Sequence, residues 1–137
     1  MQTLQKTMKG FSLIELLVVL VILALLGGLV VTNVRDRSES AKSSAAAASV
    51  DRLSMAVDEF YLDTGRVPRD LRELIEEPSN VSNWNGPYVK TSLMNDPWGN
   101  PYQYRFPGEV RDFDIISLGA DGAPGGEDAN RDVSNAD

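Results

Sequence analysis

The chain has 137 residues, room for one small domain beyond an anchor, with 13 Lys and Arg against 20 Asp and Glu, a net charge of -7, and neither Cys nor His. The missing residue types exclude disulfides, thiolate or imidazole zinc sites and the commonest general base, so any resident metal would be a hard cation held by oxygen. The surplus of acid argues against nucleic acid as a partner, since phosphate contacts need clustered Lys and Arg.

Lys6 and Lys9 precede a long apolar run. From Phe11 to Val31 only Ser12, Glu15 and the pair Gly27-Gly28 interrupt it. About 20 such residues in a helix span a hydrocarbon core of ~30 Å, so this segment can cross a bilayer. The two lysines would stay cytoplasmic and place the remainder on the far side of the membrane. A secretory signal peptide is cut after its apolar stretch, at a small-x-small site. None follows here, and the expected cut lies before the run, between Gly10 and Phe11, which keeps the helix in the mature chain. An ionised carboxylate within a spanning segment costs several kcal/mol unless it is partnered, which makes Glu15 a functional residue rather than a boundary residue reaching back to the headgroups.

Gly10-Phe11-Ser12-Leu13-Ile14-Glu15, followed by this much apolar sequence, resembles the class III signal of type IV pilins and type II secretion pseudopilins. The resemblance implies that a prepilin peptidase cuts after Gly10 and methylates the new N-terminus at Phe11. It also implies that Glu15 pairs with the Phe11 amine of a neighbouring subunit during filament assembly. Two buried opposite charges are tolerable only together, so the physics agrees.

Beyond Val31 the polarity changes while the helix signal continues. Residues 35–63 contain no Gly or Pro, Ala41 to Ala56 is rich in strong helix formers, and Val50, Leu53, Val57 and Phe60 or Tyr61 recur at the spacing of one helical face. One long helix is expected from about Ser12 to Asp63, its C-terminal half packing on a globular domain; no sustained apolar heptad points to a coiled coil. Thr64-Gly65-Arg66-Val67-Pro68 should stop it. Residues 70–78 read as a second short helix with Asp70 at its cap and Leu71, Leu74 and Ile75 facing inward. A brief extended piece is expected at 86–89 and a turn at 95–101. Tyr102 to Phe106 and Asp112 to Ser117 read as strands of an antiparallel hairpin around Pro107-Gly108-Glu109. From Leu118 onward the chain is Gly, Asp, Asn and Ala with few apolar residues, and left alone should be disordered.

Tyr61-Leu-Asp-Thr-Gly-Arg-Val-Pro68, Gly86-Pro-Tyr88, Asp96-Pro-Trp-Gly-Asn-Pro-Tyr102 and Asp112-Phe-Asp-Ile-Ile-Ser-Leu-Gly-Ala-Asp-Gly122 resemble the major pseudopilin family of type II secretion. The resemblance implies an α+β, pilin-like fold: a long N-terminal helix on a small domain with a short helix, an antiparallel sheet and a C-terminal calcium-binding loop. It divides the chain into a leader (1–10), a transmembrane and assembly helix (11–34) and a periplasmic globular domain (35–137). The family commonly ends in Asp-Ile-Gly-Asn-Trp, whereas this chain ends Asp132-Val-Ser-Asn-Ala-Asp137 and has no terminal Trp.

Residues 109–137 hold eight acids against Arg111 and Arg131, set among glycines. Calcium takes 6–8 oxygen ligands, backbone carbonyls included, in flexible geometry, although the spacing is not that of an EF-hand and acidic glycine-rich tails are commonly just solvated. The resemblance implies one Ca2+ after the last strand. Matched by motif, Asp121 is the first carboxylate, Leu118 and Ser117 offer backbone oxygens, and Asp132 is the later carboxylate. Asp128 or a backbone carbonyl completes the shell.

The function so implied is that of the major structural subunit of a pseudopilus. It would sit single-pass in the bacterial inner membrane and polymerise into a helical periplasmic homo-oligomer that drives folded proteins across the outer membrane. Minor pseudopilins, an inner-membrane assembly platform and the prepilin peptidase would be its partners. A type IV pilus subunit for adhesion or motility is the nearer alternative, and a membrane-tethered, calcium-dependent binding module the more distant one. An enzyme is the least favoured class. Its candidate carboxylate pairs, Asp112 with Asp114 and Glu76 with Glu77, read as solvent-facing, and Trp84, Trp98 and the tyrosines as packing residues.

Overall fold

The structure, a computed structural model, describes residues 10–137. The expected leader, with Lys6 and Lys9, lies outside the described residues except for Gly10. The chain divides into two compact units, one ending at Arg37 and the other running from Ser38 to Asp137. Helix α1 covers Leu13–Thr64, 52 residues, within one residue of the expected bounds at each end and unbroken at Gly27 and Gly28. It is the one helix among the described residues long and apolar enough to cross a membrane.

In the Ser38–Asp137 unit the 3.6-residue period of α1 turns Ala46, Val50, Leu53, Val57 and Phe60 inward, all fully buried or nearly so. The helix ends as its sequence dictates. Gly65 takes φ +75°, a conformation that costs glycine little, and donates its N–H to Tyr61 O at 2.8 Å. Thr64 Oγ1 donates back to Phe60 O at 2.7 Å. Arg66 then lies over the Phe60 ring, 5.3 Å from its centroid, and pairs with Glu73 at 2.8 Å, which fixes the connection that follows.

The second helix expected at 70–78 is a single 3₁₀ turn, Leu71–Leu74. Asp70 caps it as expected, accepting from Arg72 N–H at 2.8 Å, and Leu71 and Leu74 are buried. It goes no further because Pro78 has no N–H to donate and disfavours helical backbone at Glu77. The segment 86–89, expected as a brief extended piece, pairs with no strand. Tyr88 N–H reaches Leu74 O at 2.8 Å, and its ring meets Phe60 and Trp84 edge-on at 5.7 and 5.8 Å. A second 3₁₀ turn, Thr91–Met94, had no counterpart in the sequence reading.

The hairpin forms, shorter than expected: β1 is Gln103–Arg105 and β2 is Asp114–Ser117, antiparallel, with Tyr104 opposite Ile115. The tail overturns the expectation of disorder. It holds a 3₁₀ turn at Asp128–Asn130 and a strand β3, Val133–Ser134, antiparallel to β2, so the sheet order is β1-β2-β3. What orders a segment so poor in apolar residues is backbone pairing completed by one buried amide. Asn135 Oδ1 accepts from Ile115 N–H at 2.9 Å, and its Nδ2 donates to Phe113 O at 3.0 Å. The first is a β2 donor that would otherwise be buried without a partner, and the second is the carbonyl just before β2.

Candidate functional site

Gly10 and Phe11 precede α1, and Phe11 is 91% exposed. The apolar side chains that follow are exposed along the whole stretch to Val31, and no part of the membrane-length window is buried by the chain itself. They therefore require lipid or other helices around them.

At the start of this stretch Ser12 and Glu15 form a reciprocal capping box. Glu15 N–H donates to Ser12 Oγ at 3.2 Å, while Glu15 Oε2 accepts from Ser12 N–H at 2.9 Å. Each satisfies a backbone donor that the first helical turn leaves open, and the negative carboxylate sits at the positive end of the helix dipole. Ser12 is a capping residue that the sequence reading passed over. Its signal was present: Ser-x-x-Glu directly before an apolar run. The carboxylate thus has a partner within its own chain before any neighbour is present.

In the tail, Asp121 is exposed and its Oδ1 accepts from Ala123 N–H at 3.1 Å, an Asx turn that leaves Oδ2 outside that bond. Ala120 N–H donates to Ala129 O at 2.9 Å, closing the loop so that the strand of chain entering Asp121 lies beside the one carrying Asp128 and leading to Asp132. Closure is tight. A Cβ on Gly119, whose φ is +69°, would lie 2.7 Å from Asn130 C, so only glycine fits there. Asp128 is exposed with φ +52°, and its carbonyl accepts from Arg131 N–H at 3.3 Å. Asp132 is half-buried. Its Oδ2 accepts from Gly125 N–H at 2.9 Å, and its Oδ1 is buried with no hydrogen-bond partner. Leu118 is half-buried, and Ser117 ends β2 fully buried.

Among the described residues no three acidic side chains gather into one group. A cation here would be held by at most two carboxylates together with backbone oxygens. Calcium accepts such a set and zinc does not. The orphaned Asp132 Oδ1 is the observation that fits a cation, because a buried carboxylate oxygen without a donor is costly unless a positive charge completes it.

Of the carboxylate pairs weighed for catalysis, Asp112 and Asp114 separate, while Glu76 and Glu77 both face solvent. Asp112 is exposed as expected, and so are Glu76 and Glu77. Asp114 departs from the solvent-facing expectation: it is 3% exposed and accepts from Glu109 N–H at 2.7 Å. The hairpin loop has backbone donors with no strand partner, and this carboxylate turns inward to meet one of them. Trp84 donates its indole N–H to Glu73 O at 2.9 Å, and Trp98 donates its own to Glu39 Oε2 at 2.7 Å, both as packing residues with satisfied polar ends.

The family model "Type II secretion system (T2SS), protein G" matches residues 33–136, and the model "Prokaryotic N-terminal methylation motif" matches residues 5–31. The chain is 40% identical over 139 residues to the type II secretion system core protein G of Pseudomonas aeruginosa, covering 97% of this chain and 98% of that protein. It is 39% identical over 124 residues to the core protein G of Xanthomonas campestris pv. campestris, covering 90% and 87%. Among solved structures, the major pseudopilin from the type 2 secretion system of enterohaemorrhagic Escherichia coli aligns with a TM-score of 0.62 and 32% identity, over 73% of this chain and 87% of that one.

Proposed function

The chain belongs to the protein G family of type II secretion, and from that membership we propose how its two sites serve a pseudopilus. The chain is a major pseudopilin, a structural subunit of the secretion apparatus anchored through its N-terminal helix. Enzymatic chemistry is not the family's role. The observation that carries the reading is α1 itself: a helix whose membrane-length apolar stretch is wholly uncovered and begins on an acid held at the helix start.

In this reading the prepilin peptidase removes residues 1–10 and methylates Phe11. The mature chain waits in the inner membrane with its Ser38–Asp137 unit in the periplasm. Assembly with further copies covers the apolar helices, and Glu15 exchanges its bond to Ser12 N–H for the Phe11 amine of a neighbour. Two opposite charges are then buried together as a neutralised pair. Filament growth, started by minor pseudopilins on an inner-membrane platform, drives folded cargo outward. The motifs around Trp98 and Asp121 and the match to protein G favour this over a type IV pilus subunit.

In the tail, Ca2+ would be held by Asp121 and Asp132 with the backbone oxygens of Leu118 and Ser117 and a further backbone carbonyl, since Asp128 does not join the two in a group of three acids. When bound it would supply a cross-link between loop and sheet in a domain with no disulfide. The test is thermal unfolding of the detergent-solubilised chain in calcium and in excess EGTA. A ligand of the folded state alone raises stability by RT ln(1 + [L]/Kd). A midpoint raised by calcium, and no longer raised in Asp121→Ala, supports the site; identical midpoints for the native sequence in both buffers remove it.

A further inference from the structure

The turn at 95–101 reaches well beyond itself. It is closed by Asp96 N–H to Asn100 O at 2.8 Å and Gly99 N–H to Asp96 O at 2.9 Å. Asp96 is 5% exposed. Its Oδ1 accepts from Trp98 N–H at 3.0 Å and Asn100 N–H at 2.8 Å, the ordinary work of an aspartate in its own turn. Its Oδ2 leaves the turn and accepts from Ser117 Oγ at 2.8 Å, at the end of β2. The Asn100 side chain makes a second crossing, Nδ2 donating to Gly119 O at 3.3 Å. Leu118, between the two fastened residues, carries one of the proposed calcium-ligating carbonyls. At the middle of the turn, Trp98 is fixed to Glu39 of α1.

A purely local turn would need only the two bonds to Oδ1. Both crossings instead grip the three residues with which the tail loop leaves the sheet. We infer that Asp96, Asn100 and the Ser117 hydroxyl form a clamp that positions the tail loop for a divalent cation without touching it. The inference rests on the calcium reading above. A loop already held in its binding conformation spends less of the ligand's affinity on ordering, and the apparent Kd rises in proportion as the competent fraction falls. One net hydrogen bond changes such an equilibrium by about 2- to 13-fold.

The test uses the full chain in detergent, stripped with EGTA and titrated with calcium by calorimetry. Asn100→Ala and Ser117→Ala are compared with the native sequence; both keep every proposed ligand atom, since Ser117 would contribute only its carbonyl. Amide hydrogen exchange in EGTA is recorded in parallel. Each variant should bind calcium more weakly, by up to about 13-fold, with faster exchange confined to the tail residues after Ser117. Equal affinities overturn the clamp. Weaker affinity with exchange accelerated throughout α1 and the sheet also overturns it, because the substitutions would then have lowered global stability only. A native chain that takes up no calcium defeats the calcium reading itself, an outcome separable from a native chain that binds while its variants bind equally.

Discussion

Replacing Asp132 with alanine should reverse the order of stability between two buffers. In EGTA the native carboxylate accepts one hydrogen bond, from Gly125 N–H at 2.9 Å, and leaves Oδ1 buried without a donor. Losing the bond costs about 1 kcal/mol, while removing an unsatisfied buried acceptor returns about 1–3 kcal/mol. Metal-free Asp132→Ala should therefore melt level with the native chain or a few degrees above it. In calcium at about 100 times Kd the native chain gains about 2.7 kcal/mol, and the variant, lacking a ligand, gains little. For a unit the size of Ser38–Asp137 that is a difference of about 10 °C or more. Differential scanning calorimetry of both proteins in both buffers reads all four midpoints. A variant that melts lower than the native chain by the same margin in EGTA and in calcium would refute the reasoning, since Asp132 would then act through ordinary packing and hydrogen bonding.

Three further outcomes are expected. Glu15→Val should leave the chain in the membrane and still cleaved after Gly10 but absent from sheared or cross-linked filaments, whereas Ser12→Ala, which loses one of the two capping bonds worth about 1 kcal/mol, should lower filament yield without abolishing it; wild-type filament levels for Glu15→Val would sink the assembly role. Phe60→Ala removes a fully buried ring in contact with Tyr88 and Arg66 and should cost about 3–5 kcal/mol, read as a lowered urea midpoint in circular dichroism. Alkaline pH should unfold the globular unit: burial pushes the Tyr104 phenol well above its ordinary value, with the Glu73 charge adding to it, and burial raises Tyr88 and Tyr102 as well. Because the folded state favours the neutral phenols, their contribution is complete below about pH 10 and fades as pH rises toward the folded values; a flat stability curve above pH 10 would contradict this, and Tyr104→Phe should flatten it in part.

The parts of this molecule written in short-range pattern are those the sequence alone determines. The apolar run, Glu15, the inward stripe from Val50 to Phe60, the Gly65 stop and the hairpin all follow from periodicities and end signals spanning a few residues, and the structure keeps each within one to three residues of its expected bounds. The capping box of Ser12 and Glu15 was equally legible, because it too is local. The parts the sequence left open depend on partners that only closure of the chain selects, from 5 residues away for Asp114 to 20 and 21 for Asn135 and Asp96. Asp114 and Asp112 look alike in composition, yet one is buried to serve a loop's N–H groups and the other stays in water. A tail that composition marks as disordered becomes a third strand because Asn135 meets Ile115 and Phe113 across the sheet. Asp96 reads as a turn former until its second oxygen is seen on Ser117. Hydrophobic patterning carries the face that each segment buries; it carries nothing about which distant backbone donor a buried carboxylate or amide will meet. That choice is made only when the chain closes on itself and every polar group taken from water must find a partner.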